Sequence, residues 1–366
     1  MNEGRQQSPL NLFICRDFFV YNLVKAGAAA ILCGLATAPL AGPLPVWKSA
    51  MISGSQRLSF FSLLKTKPRG YQPYMKRLMR NDGLLHRPGQ GPQKLLSYAG
   101  LKPLIGYDTN INNGLPGEEF NIGKFTFRTD EEDRAKAGMT VGAMATGGLL
   151  YSVAPGHVLK FAAYGSYEYA PEHSLSKHAY GASACLGSHV AAYTWIDSCA
   201  GVRVAEKENA SVEEVYASLG GSQAFATRFG HHEAKWAVKR SFRDDYNKTY
   251  VNAGVLSAVA DVGAIYTGVS WGEEIEGKHT SRWGASASIT RSIMKRKTTF
   301  SISYGNSGGG YHFGTEREDD QYAVNVKSQV HKNVALSVGY SWSNSNIDFY
   351  DDNSVLLGVD IRSIQF

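Results

Sequence analysis

Residues 331–350 read HKNVALSVGYSWSNSNIDFY. From Val334 to Ser343, Val334, Leu336, Val338, Tyr340 and Trp342 alternate without a break with Ala335, Ser337, Gly339, Ser341 and Ser343. That is the period of a β-strand, whose successive side chains point to opposite faces. One face is large and apolar, the other small and polar. A soluble sandwich and a membrane barrel both produce such a strand, so the neighbouring segments decide.

The pattern recurs along the chain. Tyr322, Val324, Val326 and Val330 alternate with Ala323, Asn325, Lys327 and Gln329, and Phe300, Ile302 and Tyr304 with Thr299, Ser301 and Ser303. Trp283, Ala285, Ala287 and Ile289 oppose Arg282, Gly284, Ser286 and Ser288; Leu159, Phe161, Ala163, Tyr167 and Tyr169 oppose Lys160, Ala162, Tyr164, Ser166 and Glu168. The apolar faces are aliphatic in the middle and tend to carry Tyr or Trp towards an end. Segments of about ten residues or more with aromatic ends suit a tilted crossing of a bilayer.

Composition agrees. The chain is 43% hydrophobic, with 39 Gly and 20 Tyr, and its mean hydropathy is −0.25. No uncharged apolar run reaches the length of a spanning helix. The net charge of +6 is too small to imply a nucleic-acid partner.

The alternation places strands at 98–108, 138–151, 157–170, 176–190, 193–206, 211–223, 231–244, 249–260, 262–272, 280–292, 296–306, 319–330, 333–344 and 353–366. The expectation is an all-β fold, an antiparallel transmembrane β-barrel of about fourteen strands over residues 96–366, in the outer membrane of a Gram-negative bacterium. The short connections SVAPGH, ADVG, MKRK and VHKN fall at one end, which becomes the periplasmic rim. The longer RDDYNKT, GNSGGGYHFGTERED and NSNIDFYDDNS fall at the other. Outer-membrane lipid and the barrel-assembly machinery are the partners this fold implies, the latter reading the terminal Ile364 and Phe366. Leu357, Val359 and Ile361 lie in the other phase, so a bulge near Arg362 to Ser363 is expected to bring Ile364 and Phe366 back into register.

Before the barrel, residues 1–41 read as a secretory signal: after Lys25 comes a weakly apolar run of about sixteen residues, with cleavage sites after Ala38 or Ala41, the alternative being an uncleaved helix anchor, for which the run is short. Cys33 lacks the residues that precede a lipoprotein cysteine. Residues 42–95 are rich in Lys, Arg, Pro and Gly and read as a basic periplasmic linker, the alternative being a segment with one short helix near Tyr74 to Leu85.

The motifs that suggest chemistry have plainer explanations. GEEIEGK (272–278) has the spacing of a phosphate-binding loop, but His279 replaces the expected hydroxyl residue and three glutamates would repel phosphate. It reads as an exterior hairpin loop. GNSGGG (305–310) is faintly similar to the Gly-Asp-Ser-Gly-Gly of trypsin-like proteases, with Asn306 in place of Asp, but it sits at a strand end next to a glycine-rich loop, where flexible backbone explains it better than a nucleophilic Ser307. His231 and His232 are adjacent in a strand and point to opposite faces, so they cannot chelate together. Asp244, Asp245, Asp351 and Asp352 read as solvated loop tips, with calcium as the alternative. No catalytic residue, metal site or cofactor is implied.

On the lumen side, Lys160, Asp197, Arg203, Lys235, Lys239, Arg282 and Lys327 form a mixed-charge lining, an ion-pair network or a selectivity site. Cys185 and Cys199 flank a turn near Ala192 and fall opposite one another on one face. They are either a cross-strand disulfide or two small lumen thiols.

The barrel opens with GYDTNINNG (106–114). A first strand ending in Tyr107, Asp108, Asn110 and Asn112, then a long loop, resembles the C-terminal barrel of the surface lipoprotein assembly modifier family over residues 95–366. The resemblance implies a barrel of about fourteen strands that helps lipoprotein clients to the outer surface. In that family an N-terminal tetratricopeptide domain engages the client, whereas residues 42–95 are too short for several repeats of about 34 residues. The expected function is thus translocation or surface display of lipoproteins or other surface proteins. The alternative is a porin-like channel for small solutes.

Overall fold

The computed structural model describes residues 44–361, 364 and 365, except 113, 116, 123, 124, 208, 209, 313, 348 and 349. The signal-like segment 1–41, Arg362, Ser363 and Phe366 lie outside the described residues.

Fourteen long strand segments form the wall. They are β1 (Gln93–Asp108), β4 (Gly138–Ala154), β5 (His157–Ala170), β6 (Leu175–Ala191), β7 (Thr194–Lys207), β8 (Ala210–Thr227) and β9 (Gly230–Phe242), followed by β10 (Asn247–Val259), β11 (Gly263–Gly272), β12 (Thr280–Ile293), β13 (Arg296–His312), β14 (Thr315–His331), β15 (Val334–Ser345) and β16 (Asp352–Ile361). β2 (Glu119–Ile122) and β3 (Phe125–Arg128) form a separate hairpin in the loop after β1, and β17 (Ile364–Gln365) completes the last wall strand. Each wall strand pairs antiparallel with its sequence neighbours, and β1 pairs with both β4 and β16, so the sheet closes on itself. Closure leaves every strand of the wall partnered, which is the condition for a sheet to cross lipid.

The register decides which face of the strands meets lipid. Lys160, Cys185, Asp197, Ser218, Lys235 and Asn252 share one interior cavity, and cross-strand pairing carries that side to Asn325, Gly339 and Leu356. Val338, Leu336 and Tyr340 are on the other side, 54%, 44% and 40% exposed. Val, Leu, Tyr and Trp therefore face the bilayer and Ser and Gly face the lumen. Trp283, Tyr304, Tyr322 and Trp342 join into an aromatic girdle near one rim, with ring centroids 4.6–5.1 Å apart. The chain is an outer-membrane-type β-barrel.

The final strand carries the expected offset. Asp360 pairs with Leu104 but Ile364 with Leu101, so the C-terminal strand uses one more residue than β1 across that interval. The register thereby sets Ile364 opposite Leu101. The two residues at which the bulge was expected are outside the described ones.

Two expectations need correction. GNSGGGYHFGTERED does not form a long loop: β13 continues to His312 and β14 starts at Thr315, with Ser307 opposite Asp319 and Gly308 opposite Glu318. Gly309 and Gly310 take φ of 92° and 76° at a register shift, so the glycines serve a bulge in a strand. Residues 42–95 are not a linker either. They contain α1 (Val46–Ser53), α2 (Gln56–Thr66) and α3 (Gln72–Asn81), and the last of these overlaps the short helix considered as the alternative.

Candidate functional site in the plugged lumen

The three helices occupy the periplasmic mouth of the barrel. Ser55 caps α2, its hydroxyl accepting from Leu58 N–H at 3.2 Å, and the same hydroxyl donates to Glu233 of β9 at 2.5 Å. A carboxylate at a helix N-terminus complements the helix dipole. Arg57, one turn position on, would oppose that dipole, yet it has a partner of its own. Its guanidinium donates to both oxygens of Asp197 on β7, at 2.7 and 2.9 Å, and to Ser222 at 3.0 Å.

Apolar contacts seat the same segment. Phe60, Phe61, Leu63 and Met75 cluster with Trp195 and Ala224 of the wall, and Ala50 and Leu58 with Leu256 and Ala258. Phe61 packs edge-on to Tyr193 and His231, and Ser62 hydrogen-bonds His231 Nδ1 at 2.8 Å. The short turns hold the ends: Asp261 N–H donates to Leu44 C=O at 2.9 Å, and Gly156 N–H to Gly83 C=O at 3.0 Å. At φ 69°, Gly83 takes a conformation that suits glycine, and a Cβ there would meet Val158 at 3.0 Å.

Above the plug lies a cavity of ≈ 700 Å³. Its floor is Ser55, Gln56, Arg57 and Asn81, and its wall includes Lys160, Asp197, Ser218, Lys235 and Asn252. Lys160 Nζ is 3.9 Å from Asp197, and Lys235 Nζ is 3.2 Å from Glu233, itself only 1% exposed. Asp82, at the end of α3, also borders this space; burial pushes its carboxyl above the ordinary value, against the pull of Arg57, Lys160 and His189.

The remaining lumen charges are dispersed around the wall. Lys239 pairs with Glu214 at 2.7 Å; Arg282 meets Glu316 at 2.7 Å and Glu318 at 2.8 Å, and also Glu274; Lys327 and Lys102 share Asp360. Arg203 faces the lumen without an ion pair among the described residues. Cys185 and Cys199 are direct cross-strand partners, joined in the structure as a disulfide with Cα atoms 4.1 Å apart. Since both cysteines line the plug cavity, the bond braces the hairpin that carries Asp197.

The Tyr107, Asp108, Asn110 and Asn112 motif sits at the outer end of β1. Asp108 Oδ1 accepts Asn110 N–H at 2.9 Å, Asn110 exchanges hydrogen bonds with Gly114, and Asn112 donates to Arg134 C=O at 2.7 Å and accepts Lys136 N–H at 2.9 Å. Three of the four side chains therefore fold the long loop back on itself; Tyr107 lies in the bilayer-facing row, 38% exposed. Sequence reasoning missed Arg57, Ser55 and Asp82. Their only sequence signal is the Ser-x-x-Leu helix start at Ser55, inside a segment read as linker.

Of the other motifs, His231 and His232 do diverge, the second bonding Thr227 and Ser257. His279 lies 3.2 Å from Asp319, which Arg317 also holds, and Ser307 makes no hydrogen bond with His279 among the described residues. No group of His, Cys, Asp or Glu among the described residues could hold a metal ion.

No protein-family model matches the sequence, and no curated protein matches it. Solved structures with a similar course of chain include OccK9 (OpdG) of Pseudomonas aeruginosa, 9% identical with a TM-score of 0.42, covering 74% of this chain and 98% of that one. OpdK of the same organism, with vanillate, is 8% identical at a TM-score of 0.38, covering 74% and 99%. OccAB3 of Acinetobacter baumannii is 7% identical at 0.38, also covering 74% and 99%. At these TM-scores the likeness carries no argument about this chain beyond what its own sheet shows.

Proposed function

We propose that this chain is an outer-membrane channel for small polar solutes, closed at its periplasmic mouth by its own N-terminal helices. The observation that carries this reading is the ≈ 700 Å³ cavity, with polar strand side chains around it and the helices as its floor. A small barrel kept only as a scaffold fills its interior with side chains. Here the interior keeps solvent-sized space, and the floor is a separate element held by polar contacts around the cavity as well as by its apolar seat. As part of the same reading, the barrel-assembly machinery inserts the chain.

Help with lipoprotein display has no observation of this structure in its favour, because Asp108, Asn110 and Asn112 are occupied by their own loop. The test is conductance in planar bilayers. The full chain should open rarely, and Arg57→Ala should open more often with the same unit conductance. Silence from both forms, with correctly folded barrel in the bilayer, would refute the channel.

A further inference from the structure

Four tyrosines of the lumen-facing rows lie flat against the wall. Tyr98 of β1 rests on Gly148, Tyr164 of β5 on Gly181, Tyr216 of β8 on Gly201 and Tyr266 of β11 on Gly254. A Cβ on these glycines would fall 2.6, 2.9, 2.7 and 2.8 Å from the tyrosine side chains. Each glycine is thus a seat that lets a ring lie down instead of projecting across the lumen. Two of the four are otherwise engaged: Lys239 stands 4.7 Å from the centre of Tyr216, and Tyr266 packs against the Leu58 cluster of the plug.

Tyr98 and Tyr164 keep 37% exposure each. Both strands pair with β4, with Tyr98 opposite Gly148 and Tyr164 opposite Thr146. The two rings are therefore two strands apart, about 10 Å across the sheet. Thr146 lies between them in the same row, and the other lumen-row neighbours, Gly100, Met144, Ala162, Ser166 and Ser183, are uncharged. The patch is a neutral gap between the Lys160 and Asp197 pair on one side and Lys102 and Glu168 on the other.

We infer that this stretch of wall binds a neutral saccharide of at least three linked pyranose rings. Flat aromatic faces bury the C–H face of a sugar ring, the separation of the two tyrosines suits the first and third rings of such a chain, and the hydroxyls of Thr146 and Ser183 meet the sugar hydroxyls. The inference rests on the channel reading, since it names what the channel would carry.

The test is calorimetric titration of the full chain in detergent with maltotriose, with mannitol as an open-chain polyol. Tyr98→Phe with Tyr164→Phe keeps both faces. Tyr98→Leu with Tyr164→Leu still covers the glycine seats but removes the aromatic faces, and circular dichroism confirms that each pair folds. Maltotriose should bind the wild-type and phenylalanine forms and bind the leucine form at least about tenfold more weakly; mannitol should not bind. Equal binding to the leucine form, mannitol binding as tightly as maltotriose, or no maltotriose binding to a barrel that conducts, overturns the saccharide site alone. Maltotriose binding lost in the leucine form, in a barrel that never conducts, would overturn the channel reading and leave the saccharide site standing.

Discussion

Arg57 and Asp197 are 140 residues apart in sequence and meet through two parallel hydrogen bonds of 2.7 and 2.9 Å, one partner on the plug and the other on the wall. The pair is partly screened, with side-chain exposures of 16% and 29%. Removing Asp197 leaves Arg57 without its counterion, and removing Arg57 leaves Asp197 only the looser Lys160 at 3.9 Å, a loss of about 2 kcal/mol of plug docking. Arg57→Ala and Asp197→Ala should each raise open probability, and the double variant should add little to either single one. Additive effects would show that the two residues act separately.

Gly83→Ala tests the seat at the end of α3. The substitution meets both an unfavourable φ and the Val158 side chain, a cost of about 1–3 kcal/mol. Trypsin should then cut the basic helices faster while the wall keeps its strand signal in circular dichroism. Unchanged cutting would mean that the turn around Gly83 does not fix the plug.

The pH response follows from Asp82. Its carboxyl is raised in the docked state, first by burial, with Asp197 adding to the rise and Arg57, Lys160 and His189 opposing it. The docked plug therefore holds the Asp82 proton more tightly than the free plug does. Docking strengthens as pH falls through the raised value towards the ordinary 3.8, and the cost of the charged form is fully present above that window. Asp82→Asn should dock more firmly at neutral pH and flatten this part of the pH profile of open probability. A steeper profile in the variant would contradict the assignment.

Asn112→Ala removes three hydrogen bonds, to Arg134 C=O and from Lys136 N–H and Gly114 N–H, worth about 1–3 kcal/mol together. The loop between β1 and β4 should become sensitive to protease on intact cells without loss of the barrel. Strand loss instead would assign Asn112 to the wall.

How much of this was legible in the sequence depended on period. Wall strands announce themselves by twofold alternation, so the expected 157–170 coincides with His157–Ala170, and the phase break before Ile364 gave away the C-terminal offset. The plug did not, because its buried side includes Ser49, Ser59 and Ser62, which a hydropathy pattern counts as polar. Ser59 bonds Ala50 C=O within the plug, whereas Ser49 bonds Val259 C=O and Ser62 bonds His231, contacts that exist only once the wall is in place. GNSGGG misled for a related reason: glycine marks loops in general, but a strand outside the bilayer can continue through glycines at a bulge.

The central claim is that the helices close a conducting lumen, and a reversible lock tests it most directly. Ser62 and His231 are in contact, so Ser62→Cys with His231→Cys can be bridged across plug and wall. In planar bilayers, the bridged form should lose the openings of the Arg57→Ala background and regain them on reduction, while Arg57→Ala without the added cysteines stays unaffected by either treatment. Openings that persist with the bridge formed would contradict the account.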